Sequence, residues 1–346
     1  MRIEMSIKVA VVGAAGYSGE ELLRLLARHN EAEVKVITSR KYAGQPVSDV
    51  FPRFWGSDLK FTAPDVKTIA AECDAAFLAL PHGLATEYAV PLLKAGVKVI
   101  DISADFRLRS TSKYQEYYGE AHPAPELLKL AVYGMPERYR EQIKNADLIA
   151  CPGCYPTSSI LPAAPLLKGG LVSTEGIVVA SMSGVTGAGR KVDLPYIFPE
   201  CNESVKAYKP YGHRHLPEIE QEMAAAAGVD HEIAINFIPH LVPVNRGINS
   251  TILMNAAAGC SMEKIASAYE KAYGKEKFVR ILPAGKCSDT KYVTMSNCCE
   301  IGYNYDPRTN KVILTSVIDN LTKGASGQAL QCLNIMFGLE ETSGLL

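Results

Sequence analysis

The stretch "IACPGCYPTSSI" sets Cys151 and Cys154 two residues apart around a Pro-Gly pair. Such spacing serves a redox disulfide, half of a zinc site, or one reactive thiol with a bystander. A zinc ribbon needs a second Cys-x-x-Cys or a Cys/His pair at matching distance, and none is present, so no metal is expected. Cys154 lies where a strand-like run gives way to an apolar helix, and a helix N-terminus stabilises thiolate over thiol and lowers its pKa. Cys151, ahead of Pro152, belongs to the strand end, where its role is packing. "YKPYGHRHLPEIEQEM" supplies the proton-transfer candidates. In extended chain His213 and His215 project to one side, and Pro217 with Glu218 then opens an acidic helix start. One imidazole could serve the thiol and a developing alkoxide while the other orients it or binds substrate; the pair could also bind metal or lie in a surface loop. Arg107, Arg190 and Arg246 flank strand ends, and their planar forks suit carboxylate or phosphate oxygens. In "SGVTGAGR", small residues and Arg190 let main-chain N–H groups form an anion nest.

A second chemical element sits near the beginning. "VAVVGAAGYSGEELLRLL" places Gly13, Gly16 and Gly19 between a strand and a helix. Glycines there permit a tight turn, close approach to a pyrophosphate and close helix packing, while the helix N-terminus offers N–H groups to the anion. The next strand ends at Thr38, Ser39, Arg40 and Lys41 rather than at the acidic residue of an NAD site. Hydroxyls and cations suit a 2′-phosphate, so NADP(H) is the expected cofactor; the plainer alternative is a solvated basic turn. A nicotinamide with a thiol means aldehyde or acyl chemistry, in which sulfur forms a thioester or thiohemiacetal.

The elements around these residues fall into two textures. Up to "ADLIACPG", short β-branched runs alternate with helical patterns, the signature of a doubly wound parallel sheet. From Glu175 the strand-like segments lengthen, as in "HEIAINFIPHL" and "YVTMSNCCEIGYNYD", and fit a mostly antiparallel sheet with one face free for helices or another subunit. At 346 residues, two domains are expected. A formal charge of −1 lacks the basic excess of nucleic-acid binding, and no apolar run reaches the ~20 residues of a membrane span. Nine cysteines, irregularly spaced and without a secretory signal, argue for a cytoplasmic protein with small buried thiols.

With these residues in place the chain resembles the N-acetyl-γ-glutamyl-phosphate reductases of the semialdehyde dehydrogenase superfamily. The resemblance runs through "GAAGYSGEEL", "SRKYAGQ", "LPHG", "DISADFRL", "YGMPE", "PGCYPT", "SGVTGAGR", "HRHLPEI", "PHLVPVNRGI" and "DNLTKGASGQALQCLN", in family order over nearly the whole chain. It implies a Rossmann-type NADP-binding domain over 1–153 with 321–346, and an α+β catalytic and oligomerisation domain over 154–320. It implies Cys154 as nucleophile and a histidine acid/base, His213 taken first and His215 second. Cofactor contacts are carried onto Tyr17, Ser18, Pro81, His82, Gly184 and Gly187, and onto Asn320, Gly324 and Gln328 from a segment returning beside the nicotinamide. Substrate contacts fall on Ser103, Arg107, Arg190, Glu218 and Arg246. The implied reaction reduces an acyl phosphate to a semialdehyde in a homodimer or homotetramer. Two departures stand out: Cys151 occupies a position that is Asn in many members, and Thr186 replaces a serine.

Two other readings share these residues. A sister reductase acting on aspartyl phosphate or a carrier-bound substrate differs only in substrate contacts; "HRHLPEI" and the lack of a dense Lys/Arg run disfavour both. A noncatalytic NADPH sensor with a Cys151–Cys154 disulfide has no need of the His pair.

Overall fold

The computed structural model describes residues 6–346. The first five lie outside the described residues. The chain divides into two compact units, one reaching to Thr111 and resuming over Ala121–Pro152 and Ala325–Leu346, the other comprising Ser112–Glu120 and Gly153–Gly324.

The first unit is built on β1 (Ile7–Val12), β2 (Ala32–Thr38), β3 (Phe61–Thr62), β4 (Ala75–Leu78), β5 (Lys98–Asp101), β6 (Val132–Tyr133) and β7 (Leu148–Ala150). Their order is β3-β2-β1-β4-β5-β7-β6, with every pairing parallel. The order reverses at β1, where an open α/β sheet leaves its ligand crevice, and the glycine turn follows that strand. Val9–Val12, the whole of β4 and the whole of β7 are buried, as expected of parallel strands covered on both faces. Helix Tyr17–Leu26 supplies Leu22, Leu23, Leu25 and Leu26 to this core. Helix Gly327–Met336 buries every residue; of its polar members, Asn334 pairs with His29 Nε2 at 2.9 Å and Gln331 donates to Glu341 at 2.6 Å.

The second unit carries β8 (Ile177–Ser183), β9 (Lys206–Ala207), β10 (Ile235–Leu241), β11 (Ile248–Asn255), β12 (Val279–Ile281), β13 (Cys299–Asp306) and β14 (Lys311–Ile318), ordered β12-β13-β14-β11-β8-β10-β9. The sheet is mixed and mostly antiparallel; β8–β10 and β12–β13 are its parallel pairs. Buried and half-buried residues alternate strictly along β11, so one face is covered and the other is not. The covering layer includes helix Cys154–Lys168, which packs on β11 and β14, and helices Leu216–Ala227 and Met262–Tyr273 beside it.

Two boundaries differ from the sequence reading for visible reasons. Ser112–Glu120 belongs with the second unit, where Arg214 lies over the Tyr118 ring at 5.8 Å and Lys113 pairs with Glu232 at 3.3 Å. Residues 321–324 stay there too, since the Thr322 hydroxyl donates to the Ser296 carbonyl and Lys323 lies 5.8 Å from the Phe278 ring. The run "YVTMSNCCEIGYNYD" is only partly strand: Met295 adopts a left-handed φ of +62° and β13 begins at Cys299.

Candidate active site

Cys154 is the first residue of helix Cys154–Lys168, behind Gly153 as N-cap. Gly153 has no side chain to cap this end, and the positive end of the helix dipole lies beside the thiol. The helix continues through Pro162 and Pro165. Pro165 has no N–H for the Leu161 carbonyl, and Tyr273 replaces the missing donor, its hydroxyl reaching that oxygen at 2.7 Å. Ser250 ties the helix to the sheet, its Oγ lying 2.8 Å from Ser158 Oγ and 2.7 Å from Ser181 Oγ. On the other side of the thiol, an ideal Cβ built on Gly324 would stand 2.8 Å from Cys154 Cβ, so only glycine fits there without a shift.

Cys151 is fully buried at the end of β7. Its N–H donates to the Asp101 carbonyl at 2.8 Å, and its carbonyl accepts Arg107 Nε at 2.7 Å. None of the nine cysteines is in a disulfide.

The histidines gather in an aromatic nest. His213 and His215 have ring centroids 5.1 Å apart, and Tyr155, next to the thiol, meets them edge-on at 5.6 and 5.8 Å. Tyr208 and Phe237 complete the wall around His213, and the Tyr155 and Tyr208 hydroxyls hydrogen-bond at 2.8 Å. Burial pushes His213 down to about 4, with Lys209 and Arg214 adding repulsion. Its Nδ1 accepts the main-chain N–H of His215 at 3.1 Å, so the neutral ring carries its proton on Nε2. Burial likewise raises both phenols, Tyr208 to about 12, which keeps them protonated donors. Glu218 is buried and accepts the Gly153 N–H at 2.9 Å, bracing the turn that presents Cys154.

The three arginines have different settings. Arg246 pairs with the buried Asp319 at 3.2 Å. Arg107 is buried, with Nε and Nη2 on the carbonyls of Cys151 and Ile102. Arg190 is exposed, just beyond the Val185–Ala188 turn. That turn is anchored by Thr186, which donates to the Asn245 carbonyl at 2.6 Å and accepts from Asn320 Nδ2 at 2.9 Å. A Cβ on Gly184 would lie 2.7 Å from the Asn245 carbonyl oxygen, and Gly187 faces Ser183 and Asn320. Ser103 lies in a separate buried cluster, donating to Asp101 at 2.8 Å through its hydroxyl. Burial, then Asp105, raises the Asp101 carboxyl to about 7.

In the first unit the glycine turn has the shape a pyrophosphate needs. Gly13 has φ +82°, and a Cβ there would strike the Ala79 carbonyl oxygen at 2.5 Å. Gly19 lies against Ala14, where a Cβ would stand 2.5 Å from Ala14 Cα, while Gly16 caps helix Tyr17–Leu26, where a Cβ would meet only the Gly13 carbonyl oxygen at 3.9 Å. Tyr17 and Ser18 form the first turn, and the Ser18 carbonyl accepts the Ser326 hydroxyl at 2.8 Å. Ser39 is buried, its Oγ accepting the Tyr42 N–H at 3.3 Å; the Arg40 side chain is 67% exposed and 3.7 Å from Glu87. Pro81 and His82 are exposed on the loop after β4. Gln328 is wholly buried, and neither polar atom of its amide has a partner among the described residues. An orphaned carboxamide is costly unless a ligand satisfies it, and a nicotinamide carboxamide is a matching group, so these residues fit the dinucleotide.

The sequence reading did not single out Tyr155, Tyr208 or Asp319. Tyr155 was visible inside "PGCYPT", and Asp319 beside Asn320; the pairing of Tyr155 with Tyr208, 53 residues on, had no local signal.

A parallel dinucleotide-type sheet, followed by a unit with a thiol on a helix start and a mixed sheet, defines the semialdehyde dehydrogenase class. The NAD-binding domain of that family matches residues 8–146 and its dimerisation domain residues 154–320. The chain is 53% identical over 343 residues to the N-acetyl-gamma-glutamyl-phosphate reductase of Akkermansia muciniphila, covering 98% of each. It is 51% identical to that of Pseudomonas syringae pv. syringae and 48% to that of Heliobacterium modesticaldum, again over 98% of each chain. The chain belongs to the N-acetyl-γ-glutamyl-phosphate reductase family. In fold it is similar to aspartate semialdehyde dehydrogenase II from Vibrio cholerae, with a TM-score of 0.72 at 18% identity over 96% of this chain and 99% of that one. Aspartate semialdehyde dehydrogenase with NADP from Candida albicans gives 0.71 at 17% identity, over 96% and 98%.

Proposed function

We propose that this protein reduces N-acetyl-L-glutamyl 5-phosphate to N-acetyl-L-glutamate 5-semialdehyde through a thioester on Cys154, with NADPH as reductant, in arginine biosynthesis. The observation that carries the reading is the seat of Cys154: first residue of a helix, pressed by Gly324, beside a tyrosine that touches both histidines. Full-length relatives of about half identity bearing that name support the substrate.

The Cys154 thiolate attacks the acyl carbon, and the bond from that carbon to the phosphate oxygen breaks as phosphate leaves. Bound NADPH supplies the hydride that reduces the thioester carbon. The resulting thiohemiacetal collapses to the aldehyde and returns Cys154 as thiolate. One proton is taken up overall and ends on the released phosphate. His215 handles that proton in this reading, because His213 has Nδ1 engaged and its proton on Nε2, which makes it a neutral hydrogen-bond donor. This reverses the order in which the sequence reading takes the two. Arg246 receives a substrate anion, and the neutral phenols of Tyr155 and Tyr208 keep the surroundings of the thiol ordered. Ser39 and Arg40 favour the 2′-phosphate of NADP. Thiols without disulfides fit a cytoplasmic enzyme, and among the described residues no helix is long and apolar enough to cross a membrane. The half-exposed face of the second sheet supports a homo-oligomer.

The test is the reverse assay: N-acetylglutamate semialdehyde, with or without phosphate, with NADP⁺ or NAD⁺, following nicotinamide absorbance. Wild type should show phosphate-dependent reduction with NADP⁺ preferred, Cys154→Ser none, and Cys151→Ser most of it. Equal loss in both cysteine variants, or turnover without phosphate at the full rate, would sink the reading.

A further inference from the structure

We infer that Asp319 is a positioning residue for this reaction: its carboxylate fixes the Arg246 guanidinium for the substrate anion, and the turn it anchors seats the Cys154 thiol. The inference rests on the proposed function, since it needs Arg246 to receive an anion and Cys154 to be the nucleophile.

Asp319 follows β14 and is 0% exposed. Its two oxygens accept four donors drawn from three parts of the second unit. Oδ2 takes Arg246 Nη1 at 3.2 Å and the Met295 N–H at 2.7 Å; Oδ1 takes the N–H groups of Leu321 at 2.8 Å and Thr322 at 3.2 Å. The residue's main-chain carbonyl accepts the Gly324 N–H at 3.0 Å, and Gly324 is the residue pressed on Cys154. Within five residues of sequence the chain therefore passes from the partner of Arg246 to the neighbour of the nucleophile.

A buried carboxylate costs several kcal/mol to desolvate, and one arginine offsets that only with good geometry and added hydrogen bonds. Three main-chain N–H groups supply those bonds here. The pair is asymmetric: Arg246 keeps 18% of its side chain exposed and Asp319 none, so solvent reaches the pair from the arginine side. That suits an arginine held from behind while it presents its planar fork to a small anion.

Two further features tie the surroundings to this role. Met295 holds a left-handed φ of +62°, a conformation an unbranched L side chain rarely takes, and its N–H is one of the bonds to Asp319. Strain of that kind persists where the surroundings over-determine it. Asn320, the next residue, accepts the Gly247 N–H at 2.8 Å and donates to Thr186. Arg246 is thus clamped twice, at its side chain by Asp319 and at the following peptide by Asn320.

The experiment compares wild type, Asp319→Asn, Arg246→Ala and the double variant in the reverse assay, varying phosphate and semialdehyde separately. A wild type without phosphate-dependent NADP⁺ reduction refutes the parent reading whatever the variants do. With wild type active, Asp319→Asn should raise KM about tenfold or more for whichever anion Arg246 receives, the effect of losing one charged hydrogen bond. Its kcat should fall as well, through the displaced Cys154 seat. In the Arg246→Ala background the same change should raise that KM no further. A purely structural role would lower the active fraction, and hence apparent kcat, while leaving KM unchanged. Unchanged KM in Asp319→Asn, or KM penalties that multiply in the double variant, overturns the inference. If Asp319→Asn lacks a cooperative thermal transition, Asp319→Glu replaces it: the charge stays and the carboxylate moves by one methylene. It should raise the same KM with the same non-additivity, and an unchanged KM overturns the inference there too.

Discussion

His213 and His215 are separated by one residue and do different work because of a single main-chain hydrogen bond. With Nδ1 accepting the His215 N–H, protonating His213 would put two donors face to face, and burial opposes the charge further. His215→Asn should lower kcat by about 10²-fold or more, the usual weight of a positioned proton-transfer group, whereas His213→Asn, the loss of a neutral donor, should cost about tenfold. Steady-state turnover of the two variants decides the order, and the reverse ranking returns the role to His213. The depressed value also has a sign in stability. The folded state holds His213 neutral down to about 4, while the unfolded chain protonates it near 6.5. Above that upper value the group has no effect; as the pH falls from 6.5 to 4 the unfolded state binds more protons and stability is lost. Thermal midpoints of wild type and His213→Asn should therefore converge across that interval as the pH drops, wild type losing more. Parallel pH profiles would contradict the assignment. Residue types in "HRH" made this pair visible in sequence, but the tautomer depends on backbone geometry that spacing alone cannot specify.

At the scale of elements, the helix that presents Cys154 is held by contacts from all over its unit: Ser250 from β11, Tyr269 and Tyr273 from helix Met262–Tyr273, and Gly324 from the turn after β14. The periodicity of "PTSSILPAAPLLK" announces an apolar helix, and its prolines argue against a long one. The helix nevertheless runs to Lys168, because Tyr273 satisfies the carbonyl that Pro165 strands. A donor 112 residues away leaves no trace in the local pattern. The Thr322–Ser326 segment is similar: its glycine is plain in "TKGAS", but its π-helical turn and the face it shows to the thiol come from tertiary packing. Gly324→Ala tests that contact. The added methyl must move Cys154 or its own backbone, and a shift approaching 1 Å at a reacting atom costs about 10²-fold in rate. Turnover should fall to that extent while the thermal midpoint changes little; an alanine variant with normal turnover would mean that the seat is soft.

For the whole molecule, the alternation of parallel β/α units with a later antiparallel texture was legible because hydrophobic period and strand length differ between the two sheets. The partition of Ser112–Glu120 was not, since a helical stretch inside a β/α series gives no sign of which unit it serves. The same alternation leaves one face of the second sheet to be explained. Val178, Leu253 and Ile313 lie abreast across β8, β11 and β14, with Ala180 and Ile238 paired in the next row and Met182 49% exposed beyond them. All are half-buried or exposed, on the side away from the helix layer. Apolar rows on a sheet face outside the core are the kind of surface that two copies bury against each other about a twofold axis. The span matched by the family's dimerisation domain contains every one of these strands. Leu253→Asp places a carboxylate in the middle row, twice in a symmetric dimer. Wild type should sediment as a dimer or larger at micromolar concentration and the variant as a monomer that keeps its secondary structure, since the changed side chain faces away from the core. A wild type that is already monomeric, or a variant that stays assembled, would put the subunit contact on another surface.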